Sequence, residues 1–405
     1  MKRTYLLLSA LMVFAACNKP SSYNPKNIVV WEQEDAVVAP YIDSVFEDFK
    51  KLPGNEGVTI TRTHYQNEDL RSQFQAASLA GVPPDLILGP SDTAGLYAVS
   101  GFIEPLENIF DFSKYNDQVV QAISLDGHTW GVPVSNGNHL MMFYNKKLVQ
   151  KAPQNTDELF KYCETSAKNL DLTSCMAFDS GEPFSMIPWL GSFGGWPIDG
   201  KIPTLNNEAM KKTIGFYKWL RDEKGYIPKE CDYNCMDSLF KENKTAFIIN
   251  GDWSISSYKD HFKDDFGIAL IPQNSETGIW PTPMVSGKYF MMSTGLTTEK
   301  KKLLANLLNF YTNYDNQVRQ YKELARLPAL KEAGKDKSIT SDEVAEVSMQ
   351  QILKGKPMPM ATEMRAVWDN MRNYLDLAMN GGMSVDTAVE KMQASTEKKI
   401  EEMNR

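Results

Sequence analysis

The run Asn27-Ile-Val-Val-Trp31 opens the stretch of sequence that decides the fold. It is apolar and β-branched, as buried strands are. Residues 58–65 alternate like a second strand, residues 67–79 have a helical pattern, and Pro84-Asp-Leu-Ile-Leu-Gly89 is a third short apolar run. Between the first two strands one helical face is apolar, formed by Val38, Tyr41, Ile42, Val45, Phe46 and Phe49. The order β-α-β-α-β predicts an α/β fold with a parallel sheet.

Acidic side chains follow two of these strands. Asp35 comes after the first strand and Asp92 after the third. In open α/β sheets, ligands bind beyond the carboxyl ends of the strands, where the strand order reverses. The pattern therefore places both carboxylates at the rim of a crevice.

A second α/β unit extends from about residue 140 to residue 272. Strand-like segments at 140–144 and 246–250 enclose mostly helical sequence, and a strand and further helices follow the loop Trp280-Pro-Thr-Pro283. A chain of 405 residues is long enough for two domains. Its formal charge of −8 argues against nucleic acid as a partner and against electrostatic binding to anionic lipid.

The amino terminus has the features of an export signal. Met1-Lys-Arg3 precedes an apolar core that is too short for a stable membrane anchor, and Ala15-Ala16-Cys17 ends it. The position of Cys17 resembles the bacterial lipobox, which implies a leader at 1–16 and a lipidated cysteine with a flexible tether at 17–25. In the alternative, an ordinary cleaved signal, Cys17 is incidental.

The other cysteines predict disulfides. An even number outside the cytoplasm is typical of disulfide bonding, and we predict the local pairs Cys163–Cys175 and Cys231–Cys235 among the three possible pairings. A zinc site is the weaker alternative, because no histidine lies near the second pair. We expect no metal and no cofactor.

Motifs of catalysis are missing from the sequence. It contains no Gly-x-Ser-x-Gly elbow, no phosphate-binding glycine loop and no His-Glu-x-x-His. Carboxylates alone leave a glycoside hydrolase as an alternative, with Asp92 and Glu182 as the pair to test. We predict that the protein is not an enzyme and has no catalytic residues.

Several segments, read in order, carry a family resemblance. They are Ile28-Val-Val-Trp31, Phe74-Gln-Ala-Ala77, Pro84-Asp-Leu-Ile87, Tyr97-Ala-Val-Ser-Gly-Phe102, Gly131-Val-Pro133, Phe143-Tyr-Asn-Lys146, Phe240-Lys-Glu-Asn-Lys-Thr-Ala-Phe247, Ile249-Asn-Gly-Asp-Trp253, and Trp368 with Arg372. Together they resemble the family 1 extracellular solute-binding lipoproteins of bacterial ABC importers, in the carbohydrate-binding, maltose-binding-protein-like branch. The resemblance covers nearly the whole mature chain.

This resemblance implies a type II periplasmic-binding-protein fold. Two lobes, each a mainly parallel sheet flanked by helices, enclose a ligand cleft and close about a hinge. The amino-terminal lobe is expected to take 26–136 and 272–330, and the carboxy-terminal lobe 137–271 and 331–402. Crossings are expected near residues 134–138, 272 and 330.

The resemblance also implies polar ligand-binding residues. Asp92 matches a family aspartate that accepts hydrogen bonds from sugar hydroxyls, and its alternative role is a helix cap. Asp35 matches a polar loop position that faces the cleft, and its alternative is a solvated loop acid. Asn138 falls where the sugar branch often has glutamate, with Asn136 nearly as plausible in register.

Aromatic side chains complete the implied site. Glu182-Pro-Phe184 matches an acid that hydrogen-bonds the ligand and a ring that stacks on it. Trp253 matches a tryptophan that stacks on a pyranose, and Trp368 with Arg372 matches a pair one helical turn apart. The alternatives are core packing for the tryptophans and a surface salt bridge for Arg372. Aromatic faces suit the apolar face of a sugar ring, whose hydroxyl rim needs polar partners.

Departures from the family bear on the ligand. Gly89 stands where the family can have tryptophan, and Ala36 where the maltose-binding branch has a lysine that contacts the sugar. One stacking surface and one cationic donor are therefore missing, and plain maltose is a poor candidate.

The function implied is a membrane-tethered sugar or oligosaccharide receptor, monomeric, exported and facing the periplasm or the cell exterior. It delivers its ligand to a separate ABC permease and ATPase. The alternatives are a receptor for a non-sugar solute, such as a polyamine, a phosphodiester or a metal chelate, the glycoside hydrolase, and a purely structural surface lipoprotein.

The lipid anchor can be tested directly. In Cys17→Ser the acceptor thiol is lost, and we expect the protein to move from the membrane fraction to the soluble fraction, measured by fractionation and immunoblotting. A variant that stays with the membrane would contradict lipidation at Cys17.

Overall fold

The computed structural model describes residues 24–403. The predicted leader, Cys17 and the tether up to residue 23 lie outside the described residues. Within that range no helix combines the length and apolar character needed to cross a membrane.

The described residues form strands and helices in alternation. The strands are β1 (Asn27–Glu32), β2 (Thr59–His64), β3 (Leu86–Gly89), β4 (Ser124–Leu125), β5 (His128–Thr129), β6 (Val132–Gly137), β7 (Leu140–Asn145), β8 (Ser174–Ala177), β9 (Ile198–Asp199), β10 (Ile202–Pro203), β11 (Thr245–Gly251), β12 (Phe266–Ala269), β13 (Met284–Met292) and β14 (Lys356–Pro357). The α-helices are α1 (Ala39–Lys50), α2 (Asn67–Leu79), α3 (Ala94–Val99), α4 (Asp117–Gln121), α5 (Thr156–Glu164), α6 (Pro183–Ser192), α7 (Glu208–Lys218), α8 (Tyr233–Lys241), α9 (Ile255–Phe262), α10 (Thr298–Tyr311), α11 (Tyr314–Leu324), α12 (Lys337–Thr340), α13 (Glu343–Lys354), α14 (Met364–Met379) and α15 (Val385–Met403).

The β-α-β-α-β unit predicted from the first stretch of sequence is confirmed by β1, α1, β2, α2 and β3. Helix α1 turns its whole predicted apolar face into the protein, and Val38 just before it is buried as well. A proline in its first turn costs no hydrogen bond there, because the first N–H groups of a helix have no partner within it. Burial of this face fixes α1 against the sheet.

Two separate sheets organise the chain. In the first sheet the strand order is β14-β13-β3-β1-β2, with β6 also paired to β13; in the second it is β12-β7-β11-β8. Each sheet has its own large hydrophobic core, one built around Ile28, Leu86 and Phe290, the other around Phe143, Trp189 and Ile248. The predicted α/β class with two lobes is confirmed.

The first sheet is mainly parallel, with parallel β1–β2, β1–β3 and β13–β14 pairings, whereas the second sheet is mainly antiparallel. Strands β1, β2 and β3 are parallel, but β13 runs antiparallel to both β3 and β6. In the second sheet only β8 and β11 are parallel, and two of the three pairings are antiparallel. The antiparallel pairings follow from the chain crossings between the lobes. Strands β7 and β13 enter their sheets from the other lobe, so they begin at the edge of the sheet where the strands followed by a helix end.

The chain passes from one sheet to the other and back again. The chain leaves the first sheet at Gly137 and begins the second at Leu140. After the second sheet, Gln273 exchanges backbone hydrogen bonds with the segment that leads into α5, and the Thr282 N–H donates to the Pro188 carbonyl. The chain rejoins the first sheet at Met284. Near the third crossing, the Asn136 N–H donates to the Leu327 carbonyl.

Both predicted disulfides are present. Cys163 near the end of α5 is bonded to Cys175 in β8, and Cys231 is bonded to Cys235 in the first turn of α8. The first bond ties a helix to the second sheet. The second bond closes a short loop beside the carboxyl ends of the strands of the second sheet.

Candidate functional site

The carboxyl ends of strands from both sheets meet in one region. The loop after β11 contacts the end of β6, because Asp252 accepts the N–H of Asn138 at 3.0 Å. Helices from the two lobes also touch: the Arg365 guanidinium of α14 lies 3.0 Å from a Glu68 carboxylate oxygen of α2. Among the predicted ligand-binding residues, Asp92, Glu182 and Trp253 lie in the segments that follow β3, β8 and β11.

An aromatic surface forms the wall of the cleft on the second lobe. The rings of Phe184 and Trp253 are 6.2 Å apart at their centroids and inclined by 39°. The Trp253 ring lies against the backbone of Gly251, where an added Cβ would come within 2.1 Å of ring atoms. The indole N–H donates to the Tyr233 hydroxyl at 3.2 Å. The Gly251 backbone and the Tyr233 hydroxyl therefore fix the position of the Trp253 ring. The ring is half-buried, so part of it remains accessible.

Tyr233 was missed by sequence reasoning. It is the first residue of α8, and its hydroxyl also lies 3.2 Å from the Ser254 hydroxyl. Burial raises the pKa of Tyr233, and the negative charge of Asp35 on the first lobe raises this pKa further. No spacing in the sequence distinguishes it from an ordinary amphipathic helix residue.

The structure brings together two predicted site residues on the same wall. Arg372 donates to both Glu182 carboxylate oxygens at 3.0 and 2.9 Å, and both side chains are partly exposed. Glu182 also caps α6 by accepting the Phe184 N–H at 3.5 Å. The salt bridge proposed as the alternative for Arg372 therefore exists, but its partner is the predicted ligand-binding acid.

Asp92 presents an unsatisfied acceptor on the first lobe. Its Oδ1 is buried and has no hydrogen-bond partner in the described part of the chain. Burial raises its pKa, since the low-dielectric surroundings disfavour the charged form. The alternative role as a cap is not seen, because the short turn Ser91–Thr93 has no side-chain cap. A buried acceptor without a donor is suited to a hydroxyl-bearing ligand.

Asp35 is exposed and directly follows Glu34, which belongs to a buried ion pair. Partial desolvation and the adjacent Glu34 raise the pKa of Asp35. Glu34 and Arg326 are only 3% and 5% exposed and lie 2.6 Å apart, with the Lys288 ammonium 3.8 Å from Glu34. Burial alone would raise the pKa of Glu34, but the two cations hold it below its usual value. The ion pair fixes the loop that carries Asp35.

Asn136 and Asn138 differ in how their polar groups are used. Asn138 has a left-handed backbone (φ 49°), and its side-chain amide donates to the Ser286 hydroxyl at 3.3 Å. Its polar groups stabilise the crossing. The buried amide oxygen of Asn136 has no partner among the described residues. Asn136 is therefore the better ligand-binding candidate of the two.

Trp368 is less accessible than the resemblance implies. Its side chain is 8% exposed and belongs to the hydrophobic core of the second lobe. In this conformation it packs chiefly as a core residue, and its contact with a ligand remains a prediction. In the described residues no group of three or more His, Cys, Asp or Glu side chains is arranged to hold a metal ion.

Two α/β lobes, crossing segments between them, and aromatic and acidic side chains around an interlobe cleft define a two-lobe binding protein of the type II periplasmic class. The family model for bacterial extracellular solute-binding proteins matches residues 44–346. The chain therefore belongs to this family, and the resemblance seen in the sequence is confirmed.

Individual relatives agree with this assignment. A maltotriose-binding protein of Pyrococcus abyssi is 26% identical over 86% of this chain and 76% of its own length. A galactooligosaccharide-binding protein of Bacillus subtilis is 25% identical, covering 93% and 92%. Among solved structures, the maltose/maltodextrin-binding domain of Bdellovibrio bacteriovorus bound to maltotriose is 33% identical, with a TM-score of 0.87 over 93% of this chain and 100% of that chain.

The buried ion pair leads to a stability prediction. Arg326→Met leaves the Glu34 carboxylate buried without its main partner, so we expect a loss of about 3–5 kcal/mol in unfolding free energy at pH 7. Urea denaturation followed by circular dichroism measures it.

The matched control removes both charges. The double variant Glu34→Leu/Arg326→Met leaves no buried charge from this pair, and it should unfold at nearly the wild-type urea concentration. Equal destabilisation in the single and double variants would contradict the electrostatic origin.

Proposed function

We propose that this protein is an oligosaccharide receptor that binds a neutral, linear, maltooligosaccharide-like ligand in the interlobe cleft. The observation that carries the proposal is the aromatic surface of Phe184 and Trp253, with Asp92 and its unpartnered oxygen on the other lobe. A pyranose ring has an apolar C–H face that packs on an aromatic ring and an equatorial rim of hydroxyls that needs acceptors. The cleft supplies both.

Each polar candidate has a definite role in this proposal. Asp92 accepts hydroxyl hydrogen bonds from the first lobe, and Asp35 and Asn136 add acceptors nearby. On the second lobe Glu182 accepts while Arg372 holds it in place and donates with its remaining N–H groups. Trp368 contributes packing beneath the aromatic surface.

The named relatives support a sugar over other solutes. The Pyrococcus abyssi relative binds maltotriose, and the Bdellovibrio bacteriovorus domain was solved with maltotriose. The absence of the tryptophan and lysine positions at Gly89 and Ala36 makes a ligand longer than maltose the better fit. These relatives are binding proteins, so we propose binding and transfer rather than glycoside hydrolysis.

Delivery follows from the class of protein. We propose that lobe closure on the ligand presents it to an ABC permease with its ATPase, and that the receptor acts as a monomer. A lipid on Cys17 would keep it at the outer surface of the cell membrane, with the segment to residue 25 as the tether. Two relatives from Streptococcus pneumoniae are described as solute-binding lipoproteins, which supports the anchor.

Calorimetric titration with a panel of solutes tests the sugar proposal. The mature protein should bind maltotriose or another neutral oligosaccharide, and Trp253→Ala should weaken binding at least thirtyfold, since the loss of a central aromatic contact costs about 2 kcal/mol or more.

Trp130→Ala is the matched control. This half-buried tryptophan is on the first lobe near the amino end of β6, away from the cleft, and its removal should leave the affinity unchanged. Binding of a polyamine or a phosphodiester, with no response to any sugar, would refute the proposal.

The raised pKa of Asp92 leads to a pH prediction. Because sugar hydroxyls donate to the ionised carboxylate, ligand binding lowers the pKa of Asp92. Affinity should therefore fall by up to about tenfold per pH unit once the pH drops below the raised pKa of the free protein, and it should level off above that pKa.

Asp92→Asn separates this effect from other titrating groups. The variant should bind more weakly at pH 7 and lose this part of the pH dependence, leaving the contribution of Asp35. An unchanged pH profile in Asp92→Asn would show that Asp92 does not contact the ligand in its ionised form.

A further inference from the structure

The disulfide Cys231–Cys235 lies at the first turn of α8, next to the aromatic surface. It joins two cysteines that are 4 positions apart, and the chain between them contains Asp232 and Tyr233. Tyr233 is the first residue of α8, and its hydroxyl accepts the Trp253 indole N–H. The covalent bond therefore encloses the residue that fixes the edge of the Trp253 ring.

The start of α8 lies at an exposed part of the second lobe. The segment 228–231 before the helix has no regular secondary structure, and residues 229–230 are exposed. The helix becomes buried further along, at Met236 and Phe240. Helix ends fray where few buried contacts hold them. The position of Tyr233 thus depends on the bonds that stabilise the first turn.

A hydrogen bond and a covalent bond stabilise that turn together. The exposed Asp232 carboxylate caps α8 by accepting the Cys235 N–H at 2.9 Å. The disulfide joins the residue before this cap to the same Cys235. An exposed cap can open without breaking a covalent bond, whereas the disulfide keeps the residue before the cap on the first turn. The disulfide therefore opposes fraying at the start of α8.

The Tyr233 hydroxyl connects this turn to the aromatic surface. It accepts the Trp253 N–H at 3.2 Å and lies 3.2 Å from the Ser254 hydroxyl. A hydrogen bond weakens steeply when its atoms separate or lose alignment. Because the hydroxyl is at the tip of a long side chain, a small tilt of the helix start moves it away from the indole. The Trp253 ring can then rotate away from its orientation beside Phe184.

We propose that the disulfide Cys231–Cys235 is a positioning element of the binding site. By fixing the first turn of α8, it holds the Tyr233 hydroxyl against the Trp253 indole and keeps the aromatic surface in its binding orientation. The inference rests on the proposed function, and it adds to it a covalent bond on which ligand affinity depends. Groups that are fixed before binding lose less entropy when a ligand arrives.

The other disulfide provides a matched comparison. Cys163 and Cys175 are 4% and 6% exposed, and their bond joins α5 to β8. Ser174, next to Cys175, pairs with Thr245 at the end of β11 that is remote from Trp253. We therefore expect this bond to stabilise the second lobe without affecting the aromatic surface.

Calorimetric titration with maltotriose compares the two bonds, and the tightest-binding sugar of the panel takes its place if maltotriose does not bind. Cys231→Ala/Cys235→Ala should weaken binding about fivefold, which corresponds to the loss of one ordinary hydrogen bond. Cys163→Ala/Cys175→Ala should lower the melting temperature and leave the affinity within about twofold of wild type.

A double-mutant cycle with Tyr233→Phe shows whether the disulfide acts through the tyrosine hydroxyl. Tyr233→Phe removes the hydroxyl and should itself weaken sugar binding about fivefold or more. In this background, Cys231→Ala/Cys235→Ala should have little further effect, because the contact that the disulfide maintains is already lost. A bond that only stabilises the lobe would change the affinity by the same factor in both backgrounds.

Reduction tests the same bond in the native protein. A dithiol such as dithiothreitol gives two electrons and two protons to the bond, which becomes two thiols, while the dithiol is oxidised to a cyclic disulfide. Cys235 is partly exposed and both Cys163 and Cys175 are buried, so the bond at α8 should be reduced first. Alkylation and mass spectrometry identify the thiols, and the sugar affinity of this species should be about fivefold lower.

The outcomes distinguish this proposal from the proposed function. Unchanged affinity after loss of Cys231–Cys235, or the same loss of affinity in the wild-type and Tyr233→Phe backgrounds, would overturn the positioning role and leave the receptor function in place. If the wild type binds no sugar of the panel but binds another solute class, the proposed function is overturned and the positioning role with it.

Discussion

The hydrogen bond from the Asn138 N–H to the Asp252 carboxylate joins the two lobes at the point where the chain first crosses between them. Gly137 makes this contact possible, because its backbone has a φ of 146° and an added Cβ would come within 2.0 Å of the same carboxylate. The fully buried His139 lies 3.8 Å from that carboxylate. The end of β6 and the end of β11 are thereby fixed to each other.

This crossing explains both the strand directions and the position of the cleft. Strands that are followed by a helix within their own lobe end at the cleft, so their loops carry polar side chains into it. Strands that arrive from the other lobe start there and run the opposite way, as β7 and β13 do. The antiparallel pairings are thus a consequence of building one binding site from two sheets.

Much of the fold could be predicted because it depends on local pattern. The apolar face of α1 and the boundaries of α2 follow from helical periodicity, and the disulfides follow from short sequence separations. The directions of β7 and β13 could not be predicted from one stretch of sequence, since they depend on which lobe the chain has just left. The path of residues 273–282 could not be predicted either, because it is fixed by hydrogen bonds between distant segments.

The candidate site was predicted less completely for the same reason. Trp253 and Glu182 could be found because they lie in recognisable motifs next to strand ends. Tyr233 could not, since its role depends on the Trp253 N–H reaching it from a different segment. The left-handed backbone of Asn138 and its hydrogen bonds at the crossing could not be predicted, because they depend on Asp252 and Ser286 in distant segments.

The charges around the cleft favour a neutral ligand over a cationic one. Three of its carboxylates already have cations: Glu34 has Arg326, Glu182 has Arg372, and Glu68 has Arg365. A polyamine would have to displace these partners or remain poorly neutralised. The unpartnered buried oxygen of Asp92 needs a donor, and a hydroxyl group provides one without adding charge. The aromatic surface opposite it then supplies the apolar contact that a sugar ring requires and that a phosphodiester does not.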